Sequence, residues 1–171
     1  MKKFEKILDD FLEHVQSDLG IFGEIISQQE LKYLLKEEYP DDFPMVSYEY
    51  TDESNFEVSI DESKFLNDET HGGDWIMFSN ICVMRLEFEI DPNFHTYTVD
   101  IDAFEINENY RNSGYARKII EVLEHVLKKH GYVMIKVIPY DNNARDFWEH
   151  LGYIDENGND ILYKKTWEED M

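Results

Sequence analysis

The sequence predicts an α+β domain built on one mixed sheet flanked by helices, and three observations carry that expectation. Apolar residues recur at helical spacing near the N-terminus, alternate with a period of two through the middle, and then run strand, helix, strand, helix, strand to the end. The 171 residues, 42% hydrophobic and 15% aromatic, suffice for one compact domain with a substantial core and are too few for two comfortable ones.

Phe4, Ile7, Leu8, Phe11, Leu12 and Val15 define an amphipathic helix over residues 3–16 whose acidic polar face suits packing on its own domain. A second helix spans Gln28–Glu38, with Leu31, Leu34 and Leu35 as its apolar stripe and Pro40 and Pro44 as its stop. Val46–Tyr50 and Phe56–Ile60 flank the turn Asp52-Glu53-Ser54 and predict a hairpin; residues 61–74 read as an acidic loop containing His71-Gly72-Gly73. Met84, Leu86, Phe88 and Ile90 then alternate with Arg85, Glu87 and Glu89 in a long strand that turns at Asp91-Pro92-Asn93. The next strand covers 96–106, with Tyr97, Val99, Ile101 and Ala103 on one face and Thr98, Asp100, Asp102 and Phe104 on the other. Ala116, Ile119, Ile120, Leu123, Val126 and Leu127 stripe a helix that stops before Gly131. Tyr132–Val137 is a short strand, 142–150 a short helix, and Ile161-Leu162-Tyr163 leads a last strand after the turn at 156–159.

Charge is the outlier: 38 Asp and Glu against 16 Lys and Arg give −22. That balance excludes a nucleic-acid binder held by phosphate neutralisation and docking on an anionic membrane, while the apolar content excludes an acidic coil. The acidity is uneven. Residues 1–106 hold 26 acidic and 7 basic residues, net −19; residues 107–171 hold 12 and 9, net −3. Two halves of different charge imply two jobs. Cys82, the one cysteine, sits in the apolar run Ile81–Met84 and reads as a buried small hydrophobe. No CxxC, HExxH or EF-hand pattern predicts a metal, and no signal peptide or run of ~18 apolar residues is present, so a cytoplasmic protein is expected.

Chemistry concentrates in two motifs. Asn109-Tyr110-Arg111-Asn112-Ser113-Gly114-Tyr115-Ala116 lies between a strand and a helix, where free backbone amides and the helix dipole favour an anion. Gly114 lets backbone approach a phosphate, Ala116 keeps the next turn narrow, and Arg111 adds charge. Downstream comes Ala144-Arg145-Asp146-Phe147-Trp148-Glu149-His150-Leu151-Gly152-Tyr153, a short amphipathic helix with a glycine stop. Each motif alone fits an ordinary helix end; their fixed order around the strand Ile135-Lys136-Val137 is far less ordinary.

In that joint arrangement the chain resembles the GNAT superfamily of N-acetyltransferases over residues 96–171, leaving 1–95 as a variable, acidic, acceptor-side half. The resemblance implies a mostly antiparallel central sheet and acetyl-CoA as cosubstrate. It assigns the pyrophosphate to the backbone of Arg111, Asn112, Ser113, Gly114, Tyr115 and Ala116, and the pantetheine arm to a gap beside Phe104 and Ile106. Asn142, Asn143, Phe147 and Trp148 would flank that arm, and the Ile106 amide would polarise the thioester carbonyl. Direct attack by a neutral amine needs a base, for which Asp100 stands at the family's position and Asp102 and Glu105 are rivals; all three also fit as ordinary strand residues. Two positions depart from the pattern. Trp148 occupies the place of a frequent tyrosine acid, which leaves Tyr140 or Tyr115, an unassisted thiolate, or no catalysis; Asp141 replaces a usual asparagine.

The acidic half implies a cationic acceptor: a polyamine, an aminoglycoside-like amine, or a lysine or N-terminus of a basic protein. A solvated acidic surface is the plainer reading of the same charge. The alternative function is a catalytically inactive binding protein whose acids imitate a nucleic-acid phosphate array and block a basic partner. Dimers recur in the family, so a homodimer is expected by analogy alone.

Overall fold

The computed structural model describes residues 3–49, 71–91 and 96–166. Helix α1 (Lys3–Leu19) buries Ile7, Leu8, Phe11 and Val15, as the spacing requires, and runs one turn beyond its expected end until Gly20 takes φ +68°. A short strand, β1 (Gly23–Ile26), follows; four residues on a sheet edge are too few to show alternation in the sequence. Ser27 caps α2 (Gln28–Tyr33) by accepting the Glu30 amide at 3.1 Å. The chain continues as a π-helical turn over Leu34–Glu38, so the expected span is helical but its last turn is widened.

Pro44 does more than stop that helix: it opens a new one, α3 (Pro44–Ser47). The strand expected over Val46–Tyr50 is therefore helical where described. Its hairpin partner Phe56–Ile60, the turn Asp52–Ser54, loop residues 61–70 and the turn at Pro92-Asn93 lie outside the described residues. His71-Gly72-Gly73, expected in a loop, instead belongs to β2 (His71–Phe78), because the long β3 (Cys82–Asp91) pairs antiparallel with all of it. Pairing to a neighbour here overrides the weak strand preference of glycine.

β4 (Thr96–Ile106) has the expected bounds. Helix α4 (Tyr115–Lys129) buries Ile119, Ile120, Leu123, Val126 and Leu127 and ends at Gly131, φ +86°, where the Tyr132 amide bonds the Leu127 carbonyl at 2.9 Å. β5 (Met134–Val137), α5 (Asn142–His150) and β6 (Leu162–Lys165) complete the chain. Among the described residues six strands form one sheet in sequence order, antiparallel throughout except for β4 and β5, which run parallel with α4 as their crossover.

The sheet separates two apolar clusters. α1 and α4 cover one face over Met84, Leu86, Phe88, Val99, Ile101 and Ile135; α2 and α3 cover part of the other over Trp75, Met77 and Val83. A hydrogen bond between Asp10 and His130 at 2.8 Å, joined by the ion pair of Asp10 with Lys129 at 3.2 Å, ties α1 to the end of α4. Burial pushes the Cys82 thiol well up, leaving it the inert small hydrophobe expected. Among the described residues no helix is long and apolar enough to cross a membrane, and no group of three His, Cys, Asp or Glu could hold a metal ion.

Candidate active site

β4 and β5 stay paired only from Thr98/Met134 to Ile101/Val137. Beyond that point Pro139 has no amide to continue the ladder, and β5 gives way to Ile138-Pro139-Tyr140 while β4 runs on to Ile106. The result is a gap open on the β5 side of residues 102–106.

β4 also carries a bulge. Arg85 faces Ala103 and Leu86 faces Ile101, so Asp102 is an extra residue. The extra residue reverses the alternation after Ile101. Phe104 and Ile106 join the α1/α4 face with Val99 and Ile101, while Ala103 packs against the α2/α3 cluster. The strict two-residue alternation expected for this strand, which placed Phe104 with Asp100, is thus overturned. Backbone direction follows the same phase. The Asn107 amide bonds the Ile81 carbonyl at 2.7 Å, toward β3, so the polar groups of Ile106 and Phe104 point the other way, into the gap. One is already engaged: the Ile106 carbonyl accepts from Arg111 Nε at 3.3 Å.

Two cavities meet across this gap. The first, about 410 Å³, is lined by the loop residues Arg111, Asn112, Gly114, Tyr115 and Ala116, by Phe104, Glu105 and Ile106, and by Asn143, Phe147 and Trp148 of α5. The second, about 380 Å³, is lined by Glu49, Asp102, Val137, Ile138 and Tyr140 among others, and shares Met45, Phe104, Ala144 and Trp148 with the first. Ser113 and Asn142, both expected at the cofactor, are absent from either lining; the Ser113 hydroxyl donates to the Tyr110 carbonyl.

The loop has the form an anion needs. Gly114 takes φ +84° as the cap of α4, without a capping side chain, and a Cβ there would meet nothing within 4 Å. The first intrahelical bond is Lys118 N–H to the Gly114 carbonyl at 3.2 Å, so the amides of Tyr115, Ala116 and Arg117 precede it and face outward. Arg111 is turned back onto β4 rather than held free: besides the Ile106 carbonyl, its Nη2 lies 3.5 Å from Glu105 Oε2.

The α5 wall is aromatic. Trp148, 3% exposed, packs edge-on against Phe104 at 5.4 Å, Phe147 at 5.0 Å and Tyr153 at 5.0 Å, and Phe147 stacks on Phe104 at 5.9 Å. Asp141, where the pattern has an asparagine, caps α5 by accepting the Ala144 amide at 2.8 Å, a role either residue can fill. Tyr153 offers no acid: burial, then the Glu124 carboxylate that accepts its hydroxyl, pushes its pKa far up.

The four expected catalytic residues do not converge. Asp100 lies outside both linings, half-buried against Lys136 at 3.3 Å; burial raises its pKa although Lys136 opposes the shift. Glu105, 2% exposed, accepts the Met45 and Val46 amides at 3.1 and 2.9 Å; burial raises its pKa against those hydrogen bonds and Arg111. Asp102 and Tyr140 do line the second cavity. Asp102 is 40% exposed and paired to Arg85 at 2.8 Å; Tyr140 is 56% exposed. Sequence reasoning missed Glu49, inside the segment Val46–Tyr50 read as a strand, and Met45 just before it, where Pro44 was the available sign of a helix start.

Known proteins share this fold. The model of the acetyltransferase (GNAT) family matches residues 29–153. The chain belongs to that family. Its fold is shared by the AtaTR complex bound with AcCoA (12% identity, TM-score 0.55, 85% of this chain and 93% of that one) and by Ard1 from Thermoplasma volcanium (10%, 0.53, 86% and 99%). It is shared too by AtaT complexed with acetyl-methionyl-tRNAfMet (12%, 0.51, 85% and 95%). A comparison with curated proteins finds no match. As a GNAT member the protein is an acetyl-CoA-dependent N-acetyltransferase, and the glycine cap, outward amides and open β4 edge fit that cosubstrate.

Proposed function

We propose that this enzyme acetylates the primary amine of a cationic acceptor that carries an apolar body. The second cavity supports that reading. Among the described residues its lining holds two charges, both acidic, Glu49 and Asp102, in a wall otherwise built from Met45, Val46, Ile101, Phe104, Ile138 and Trp148 and their apolar neighbours. With Asp102 already paired to Arg85, the lining suits a single ammonium at most, and the surrounding carbon suits an apolar substituent better than the repeated charges of a polyamine. A lysine or N-terminus on a basic protein fits the same chemistry.

Bound in the first cavity, acetyl-CoA supplies the acetyl thioester. The amides at the start of α4 hold the phosphates, and the Phe104 and Ile106 backbone orients the arm in the gap. Asp102 is the carboxylate beside the shared wall, and in this reading it accepts the proton of the incoming amine. Asp100, which lies outside both linings, and Glu105, with both oxygens held by backbone amides, are left to hold the strand; Asp102 is itself paired to Arg85 at 2.8 Å but is 40% exposed and lines the cavity. Tyr140 is the acid candidate on the cavity rim. AtaT is solved with a tRNA adduct; the −22 charge of this chain opposes a polyanionic carrier here.

Thiol release from acetyl-CoA with a panel of aryl- and alkylamines, polyamines and basic peptides tests the proposal. Apolar monoamines or basic peptides turn over best, and Asp102→Asn slows turnover about 10²- to 10⁴-fold. Wild-type rates in Asp102→Asn refute the base assignment, and preference for anionic acceptors refutes the acceptor class.

A further inference from the structure

Glu105 joins its own strand and the nearby loop at Arg111 to α3, which lies 60 residues away along the chain at Met45. The bulge at Asp102 turns its side chain onto the α2/α3 face, where 2% of it is exposed. There Oε1 accepts the Val46 amide at 2.9 Å, and Oε2 accepts the Met45 amide at 3.1 Å and faces Arg111 Nη2 at 3.5 Å. α3 has no capping side chain of its own, so this carboxylate from β4 takes that place. Met45 lines both cavities and Val46 the second, while Arg111 lines the first and begins the loop read above as the phosphate site. A single buried charge therefore stands between the cofactor loop and the acceptor wall.

That charge is balanced, and an arriving anion changes the balance. Arg111 is the partner nearest the loop and 43% exposed, so a pyrophosphate at the start of α4 competes with Glu105 for its guanidinium. With Arg111 drawn outward, the buried carboxylate has the Met45 and Val46 amides left to hold its charge, and those two bonds tighten. We infer that Glu105 is a positioning residue through which occupancy of the phosphate loop sets the acceptor wall at α3. The inference rests on the proposed cofactor site and adds to it a path, Arg111 to Glu105 to Met45 and Val46, between its two cavities.

The probe is coenzyme A, with binding read by calorimetry and amide exchange read at Met45 and Val46. In the wild type, saturation slows exchange at these two amides by on the order of fivefold, the low end of typical coupling between sites. Glu105→Gln, which keeps the shape but offers one accepting oxygen, loses that response while still binding coenzyme A. Arg111→Met leaves the carboxylate and its two amide bonds in place and loses the response even at coenzyme A concentrations that calorimetry shows to be saturating for it, so it carries the test if Glu105→Gln fails to fold. A purely structural role predicts a lower melting temperature in Glu105→Gln with the response intact. The inference is overturned if the wild type binds coenzyme A without a change at Met45 and Val46, or if either variant, folded and saturated with coenzyme A, responds as the wild type does. Absence of coenzyme A binding to the wild type overturns the cofactor site itself, and this relay with it.

Discussion

Replacement of Gly114 separates backbone strain from ligand approach, because the two are decoupled at this position. Its φ of +84° is disfavoured for any residue with a Cβ, yet a Cβ there meets nothing within 4 Å. Gly114→Ala therefore costs about 1–2 kcal/mol of conformational strain with no clash to add. For a domain of this size that is a fall in Tm of roughly 2–8 °C. With phosphate at the proposed site, binding suffers separately, since a methyl at Gly114 stands in the cavity wall beside Tyr115 and Ala116. Loss of one charge-assisted hydrogen bond, about 1.5–3 kcal/mol, weakens coenzyme A by roughly 10- to 150-fold. Gly114→Asn is the control. Asparagine tolerates positive φ, so much of the Tm returns while the affinity does not. Calorimetry and thermal unfolding on the three proteins decide the matter. Wild-type affinity in Gly114→Ala, or recovery of affinity together with Tm in Gly114→Asn, refutes the phosphate-loop assignment.

Trp148→Ala removes the centre of the aromatic wall and costs about 3–5 kcal/mol in urea unfolding; a loss under 1 kcal/mol would mean the wall does not depend on it. The Asp100–Lys136 pair predicts a pH signature at both ends. Burial holds the folded Asp100 pKa above 3.8, so the folded state keeps a proton the unfolded chain has lost, and stability falls as pH rises from 3.8 through the folded value. Burial opposes the Lys136 shift, but Asp100 raises it above 10.5, so that contribution is complete below 10.5 and lost as pH climbs through the folded value. Asp100→Asn flattens both slopes in pH-dependent unfolding, and unchanged slopes would show that the pair is not coupled. Arg145 holds Glu149, Asp155 and Asp160 together, so Arg145→Met speeds proteolytic cleavage within 155–160 without altering coenzyme A affinity. Added salt raises KM for a cationic amine; a salt-independent KM would remove electrostatics from acceptor choice.

What the sequence made legible, and what it hid, divides by the range of the signal. The stripe of α4, its stop at Gly131, the loop at 111–116 and the helix 142–150 rest on residues within a few positions of one another, and each was readable locally. The bulge at Asp102 is a mismatch between β4 and a strand some twenty residues earlier, and no local period contains it. Its consequence for the site is large. Under strict alternation Glu105 shares a face with Val99 and Ile101 and would put a carboxylate among the aliphatic side chains beneath α4; the extra residue moves it to the amides of Met45 and Val46 instead. A trace of this does exist in the letters. Val99-Asp100-Ile101 and Phe104-Glu105-Ile106 are each apolar, acidic, apolar, but five residues apart, an odd offset that no unbroken strand can satisfy on one face. Such a phase break beside a polar residue is a physical reason to place a bulge. Here it would have placed Glu105 on the face where it accepts the amides of Met45 and Val46.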